Sequence, residues 1–216
     1  MVRKQPKRFV KSVEQQCSRL VEINFSSVFK AFKRNYKLVP LEVFGKDPYK
    51  TLISTLLSAR TKDETTLEAS NRLFKIAPNF KSLKLLDVKT IEKTIYPVGF
   101  YKTKAKHLEK LSKLITKVPN TLDELVKLPG VGRKTANLVL NRAFAIPAIA
   151  VDTHVHRISN LLGWVNTNSP EQTEKELNII LPKKYWPITN KLFVSIGRQY
   201  TTNKKLTEFL NSQELL

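Results

Sequence analysis

One cysteine, Cys17, stands in a chain of 216 residues, which excludes an intramolecular disulfide framework and any site of clustered thiolates. A reducing compartment suits this usage. Glycine is also scarce, six in all, and the apolar spacing is mostly helical, so the expected fold class is all-α. No apolar run approaches the roughly 18 residues that span a bilayer, and no membrane segment is expected. Acidic residues are few as well: 18 Asp plus Glu against 38 Lys plus Arg, a formal charge of +20 and a pI near 10.0. Self-repulsion of that size opposes compaction unless a polyanion offsets it, which makes nucleic acid the leading partner class. With 41% hydrophobic and 9% aromatic residues the chain can still bury a core, unlike a basic disordered tail.

The start, MVRKQPKRFVK, carries five positive charges and no apolar core behind them. It reads as a solvated basic arm rather than a secretion signal, with an organellar transit peptide left open. Further on, Leu52, Ile53, Leu56 and Leu57 form one apolar helix face. Leu67, Leu73 and Phe74 repeat the pattern before Pro78. Between Tyr101 and Lys117, Ala105, Leu108, Leu111 and Ile115 recur three or four apart, with six lysines expected mainly on the remaining surface. Ser169-Pro170-Glu171-Gln172 reads as a capping box that starts a helix through Ile180. AIPAIAV, residues 145–151, has strand-like composition but no second strand to pair with, so a connecting segment is expected.

Two of the six glycines fall in LPGVGRKTANLVL, Leu128 to Leu140, between two helical patterns. A tight Gly130-Val131-Gly132 turn followed by a helix places free N–H groups and partial positive charge where a phosphate can approach. Such a clamp is blind to base sequence. A nucleotide P-loop would need glycine where Arg133 stands, and a dinucleotide fingerprint a third glycine where Thr135 stands. A DNA-gripping helix-hairpin-helix and a purely structural helix turn remain as readings.

Lys134 falls in the first turn of the helix that this hairpin opens. One reading is a lysine contacting phosphate. The other is a nucleophilic amine, which must lose its proton first; a helix N-terminus, neighbouring Arg133 and apolar walls would each disfavour the ammonium form. Asp152, in AVDTHVHRISNLLGW, lies eighteen residues beyond at the start of another helix. It reads either as an N-cap or as a carboxylate that stabilises cationic sugar character or handles a proton. His154 and His156 are two apart in that helix and face different ways. With only His107 and Cys17 besides, no transition-metal site is expected.

At these residues the sequence resembles the endonuclease III family of DNA base-excision repair glycosylases. LPGVGRKTANLVLNRAF followed by AVDTHVHRISN carries the resemblance, joined by LLSARTKDETT and VGFYKTKAKHL; together they cover roughly residues 40–165, with weaker likeness over 186–200. The resemblance implies two all-α domains with DNA in the cleft between them: a helical barrel with the hairpin, residues 40–147, and a second domain from residues 1–39 and 148–216. It implies that Lys134 attacks C1′ of an everted damaged nucleotide and cuts the strand by β-elimination, assisted by Asp152. It places Phe100 as an apolar wedge in the vacated stack, although loop aromatics also serve as core anchors. Arg60 would contact the opposite strand at a position commonly glutamine in bacterial relatives, and Gly130, Val131, Gly132, Arg133 and His154 would contact DNA, His154 alternatively being packed.

The expected activity is therefore a bifunctional glycosylase and abasic-site lyase for oxidised pyrimidines in duplex DNA. The alternatives are a glycosylase of the same fold for another damaged or mismatched base, and a non-catalytic helix-hairpin-helix DNA-binding protein. The expected partner is double-stranded DNA with damaged bases or abasic sites, bound by a monomer, in the cytoplasm with the nucleoid if the source is prokaryotic. Most relatives end in four cysteines that hold a [4Fe–4S] cluster. The corresponding TTNKKLTEFLNSQELL has none, so no cofactor is expected.

Overall fold

The computed structural model describes residues 25–216; Cys17 and the basic start of the chain lie outside the described residues. Among the described residues the secondary structure is helical, without a strand. In chain order the α-helices are α1 (Phe25–Arg34), α2 (Pro48–Ser58), α3 (Asp63–Ile76), α4 (Phe80–Lys84), α5 (Val88–Ile95) and α6 (Tyr101–Leu114). They are followed by α7 (Leu122–Leu125), α8 (Arg133–Phe144), α9 (Thr153–Leu161), α10 (Pro170–Ile180), α11 (Trp186–Gln199) and α12 (Asn203–Ser212).

Local chemistry sets most of the helix starts. Asp47, Asn79, Asp87, Thr121, Asp152, Ser169 and Thr202 each accept a backbone N–H of the turn they open. The box expected at Ser169 is only half made. Ser169 caps Gln172, but the Gln172 side chain accepts from Asn168 rather than reaching back to Ser169.

Buried side chains fall into two clusters. The first runs from Tyr49 to Ala148 and is built by α2 to α8. The second joins Val28, Phe29, Ala31 and Phe32 of α1 to residues between Ile149 and Leu210. Leu52, Ile53, Leu56 and Leu57 are all buried in the first, each stabilising it by about 1.5–3 kcal/mol relative to exposure. The passage from one cluster to the other lies in 145–151, which is irregular, as its lack of a partner strand suggested. Its carbonyls are met by asparagine side chains instead of a ladder. Asn137 donates to Ile149 O, Asn141 to Ala148 O and Asn190 to Ala150 O. Three amides thus satisfy a segment that would otherwise bury unpaired carbonyls.

Lys104 is the exception among the six lysines between Tyr101 and Lys117: it is only 6% exposed. It continues the apolar stripe of Leu108 and Leu111, and its amine reaches the C-terminus of α2. There Nζ donates to Leu57 O at 2.7 Å, Ala59 O at 2.6 Å and Thr61 Oγ1 at 3.2 Å. Burial pushes the amine down to about 8, while its three acceptors, two of them carbonyls at the end of a helix, match the three N–H groups of an ammonium. Lys104→Met is expected to lower stability in urea denaturation by about 2 kcal/mol, because these carbonyls lose their donor inside the protein. Unchanged stability would show that water replaces the amine.

Candidate active site in the cleft between the two cores

A cleft of about 720 Å³ lies between the two clusters. It is lined from the first by the end of α2, the start of α3 and one face of α8, and from the second by the starts of α9 and α10 and by α11. Lys134 and Asp152 both face it, with Nζ and Oδ2 3.8 Å apart. The two oxygens of Asp152 divide the labour. Oδ1 caps α9, accepting from His154 N at 3.0 Å and Val155 N at 2.9 Å, which leaves Oδ2 toward the lysine. The N-cap and the site carboxylate are thus one side chain.

Lys134 stands in the first turn of α8, so the helix terminus expected beside it is present. The other two expected features are not. Its side chain is 50% exposed rather than walled by apolar groups. Arg133 turns the other way, Nη2 meeting Glu174 Oε1 at 2.6 Å and Nε meeting Oε2 at 3.4 Å. Glu174 is buried, its hydrogen bond raises the Arg133 guanidinium above its ordinary value, and the pair ties α8 to α10 across the seam. Arg133, expected to touch DNA, thus spends Nε and Nη2 on a strut between the cores, while its side chain stays 53% exposed.

The hairpin preceding α8 has the expected backbone. Gly130 takes φ +76°, and a Cβ there would come within 2.5 Å of the His107 ring, so both conformation and space demand glycine. Gly132 is the N-cap of α8, and a Cβ there would meet nothing within 4 Å, leaving the first N–H groups of the helix open to an anion. Val131 departs from expectation. Its side chain is buried in the first cluster and its N–H donates to Leu128 O, so it anchors the turn and offers neither group to DNA.

Arg60 and Phe100 meet beside the loop that leads into the cleft. Both have left-handed backbones, φ 52° and 57°, which side-chain-bearing residues rarely adopt, and the Arg60 guanidinium lies 5.4 Å from the Phe100 ring centre. Phe100 is 61% exposed, which rules out the core-anchor reading. Gly99 clasps the two loops, because a Cβ there would stand 2.5 Å from Arg60 O, and its N–H donates to Thr61 Oγ1 at 3.1 Å. Thr61 and Lys62, next along that loop, line the cleft.

His154 lines the cleft and packs into the second core; a Cβ on Gly197 of α11 would fall 2.3 Å from its Nδ1. Burial lowers its imidazole below the ordinary value, opposed by Asp152 and reinforced by Arg157, Lys134 and Arg198. A histidine depressed in the folded state contributes its stability above the unfolded value of about 6.5 and loses it as pH falls through the lower folded value. Stability measured by urea should therefore fall between neutral and mildly acid pH, and His154→Gln should flatten part of that slope. Identical slopes would mean that His154 titrates as if exposed.

Three arginines not anticipated from sequence stand in or near the cleft. Arg198 of α11 pairs with Asp63 and, at 3.1 Å, with Glu64 Oε1, both in the first turn of α3. Arg157 donates to the carbonyls of Gly197 and Tyr200 at 3.2 and 2.7 Å, closing the end of α11. Arg142, two turns below Lys134, lines the cleft too. Among the described residues no group of His, Cys, Asp and Glu is placed to hold a metal ion. Nor is any described helix long and apolar enough to cross a membrane.

Residues 53–183 match the family described as HhH-GPD superfamily base excision DNA repair protein. Endonuclease III of Thermotoga maritima is 43% identical over 185 residues, covering 83% of this chain and 84% of that protein. Endonuclease III-like protein 1 of Gallus gallus is 40% identical over 173 residues, covering 76% and 62%. Among solved structures, a non-covalent endonuclease III–DNA complex aligns with a TM-score of 0.72 at 34% identity, covering 88% of each chain. A trapped endonuclease III–DNA covalent intermediate aligns with 0.69 at 30%, covering 93% of this chain and 90% of that one. The chain belongs to the endonuclease III family of the HhH-GPD superfamily. It is an enzyme of base excision repair, of the DNA glycosylase/AP lyase class, and DNA is its partner.

Proposed function

We propose that the protein is a bifunctional glycosylase and abasic-site lyase that removes oxidised pyrimidines from duplex DNA. The observation that carries this is Lys134 Nζ, half exposed in the cleft, 3.8 Å from Asp152 Oδ2. In the unprotonated form the Lys134 amine attacks C1′ of an everted nucleotide. The N-glycosidic bond breaks, its electron pair leaves with the base, and the base takes up a proton. Asp152 Oδ2 stabilises the positive charge that develops on the sugar. Ring opening gives an imine between Lys134 and C1′. Loss of a C2′ proton then expels the 3′ phosphate, and water releases the lysine.

The remaining parts follow the same reading. Gly132 and the first N–H groups of α8 grip a phosphate, Phe100 enters the vacated stack, and Arg60 meets the opposite strand. The two cores correspond to a barrel domain over 40–147 and a second domain from the terminal segments, acting as one monomer in the compartment that holds the DNA. Incubating the protein with a duplex carrying thymine glycol or an abasic site, then adding borohydride, tests the reading. A covalent adduct is expected; its absence with both substrates, together with retained DNA binding, would leave a non-catalytic helix-hairpin-helix protein.

The C-terminal segment is proposed to do by packing what a cluster does in relatives. Helix α12 buries Leu206, Phe209 and Leu210 in the second core, and the rings of Tyr200 and Phe209 stack with centres 4.3 Å apart. Elemental analysis of purified protein is expected to find no stoichiometric iron; one cluster's worth would overturn the proposal.

A further inference from the structure

Arg142 is a side chain the mechanism above does not use. It lies on α8 eight residues after Lys134, with Leu138 between them at i+4, and all three line the cleft. Eight residues of helix rise roughly 12 Å, and a helical side chain leans back toward the N-terminus. The Arg142 side chain therefore lies deeper in the cleft than Lys134 and inclines toward it. It also borders a smaller cavity of about 240 Å³ behind the cleft.

Its charge is surrounded but not engaged. Burial lowers its ionisation, while Glu42, Asp63, Tyr36 and Asp152 favour the charge. Each of those groups already has a partner. Glu42 pairs with Lys191 at 2.6 Å and accepts from Tyr36, Asp63 pairs with Arg198, and Asp152 caps α9 and faces Lys134. Among the described residues no hydrogen bond or ion pair occupies the Arg142 guanidinium, so a half-buried group with five N–H donors opens onto the cavity with no protein acceptor. Beside it, Asn190 borders both cavities. Its amide nitrogen is held by Ala150 O at 2.9 Å, which leaves its oxygen as the atom free to accept.

We propose that Arg142 reads the everted base, donating to a ring carbonyl while Asn190 accepts from the adjacent ring N–H, so that the pocket selects pyrimidines with a 4-keto group over those with a 4-amino group. This rests on the glycosylase and lyase reading above. With C1′ held at Lys134, the base extends down the α8 face toward Arg142. A carbonyl there satisfies the idle donors, whereas an exocyclic amine meets donor with donor and leaves the guanidinium unpaired.

The test uses single-turnover excision of 5-hydroxyuracil and 5-hydroxycytosine from otherwise identical duplexes, with nicking of a preformed abasic site as the base-free reference. Wild type should favour 5-hydroxyuracil. Arg142→Met should lower the ratio of 5-hydroxyuracil excision to abasic nicking by about ten- to a hundredfold, in line with what one good bidentate contact discriminates, and bring the two bases close to parity. Arg142→Lys, which keeps a donor, should recover part of the preference. Equal loss on all three substrates, or an unchanged ratio, would overturn the proposal. Should Arg142→Met not fold, a wild-type preference for 5-hydroxycytosine would overturn it unaided. A wild type that forms no borohydride adduct and nicks no abasic site overturns the lyase reading, and this proposal with it.

Discussion

Lys134→Gln is expected to abolish the borohydride-trapped adduct and to lower single-turnover excision and strand cleavage on the order of a thousandfold or more. An amide of similar length has no lone pair available for imine formation, and removing a covalent nucleophile costs far more than removing a contact. Stability and binding set the contrast. The amine is half exposed and its ion pair with Asp152 spans 3.8 Å, so its loss should change stability by less than about 1 kcal/mol. Affinity for duplex should fall only a few-fold, as for the loss of a single cation near phosphate. Gel-shift, melting and rate measurements on one preparation separate these. A variant that loses binding in proportion to rate would make Lys134 a phosphate contact and nothing more.

Asp152→Asn should lower the excision rate about 10²- to 10⁴-fold with little loss of fold. The two carboxylate oxygens have different tasks, and asparagine can take over only one. Its side-chain oxygen can accept from His154 N and Val155 N as Oδ1 does, so the cap survives and stability should change by about 1 kcal/mol or less. What it cannot supply is the negative charge 3.8 Å from the lysine amine. Asp152→Ala should lose both, adding a capping defect to the catalytic one. If Asp152→Asn turned over at the wild-type rate, the residue would be a cap alone.

Much of the chemistry was legible because it is local. The Gly130 turn, the first-turn position of Lys134 and the capping position of Asp152 are each fixed by a few neighbouring residues, and the structure has them as read. What misled was the use of side chains whose partners are remote in sequence. Arg133 meets a carboxylate 41 residues away and Lys104 a carbonyl 47 residues away. Composition suggested that such cations serve DNA. The helical pattern held a signal to the contrary for Lys104, which continues the stripe of Leu108 and Leu111, and likewise for Arg142, which repeats the face of Lys134 and Leu138. A charged residue on an apolar stripe implies a buried partner or an unfilled site.

The amino-acid sequence by itself determined the all-helical class and the glycine hairpin and pointed to a nucleic-acid partner, since periodicity, positive φ and net charge need no tertiary information. Only the tertiary structure decided that Lys134 and Asp152 share a cleft, that Arg133 pairs with Glu174 and Lys104 is buried, and that Arg142 faces the same space without a protein partner. Those outcomes depend on which surfaces the two cores bring together, and on whether a charge finds its acceptor there or in solvent.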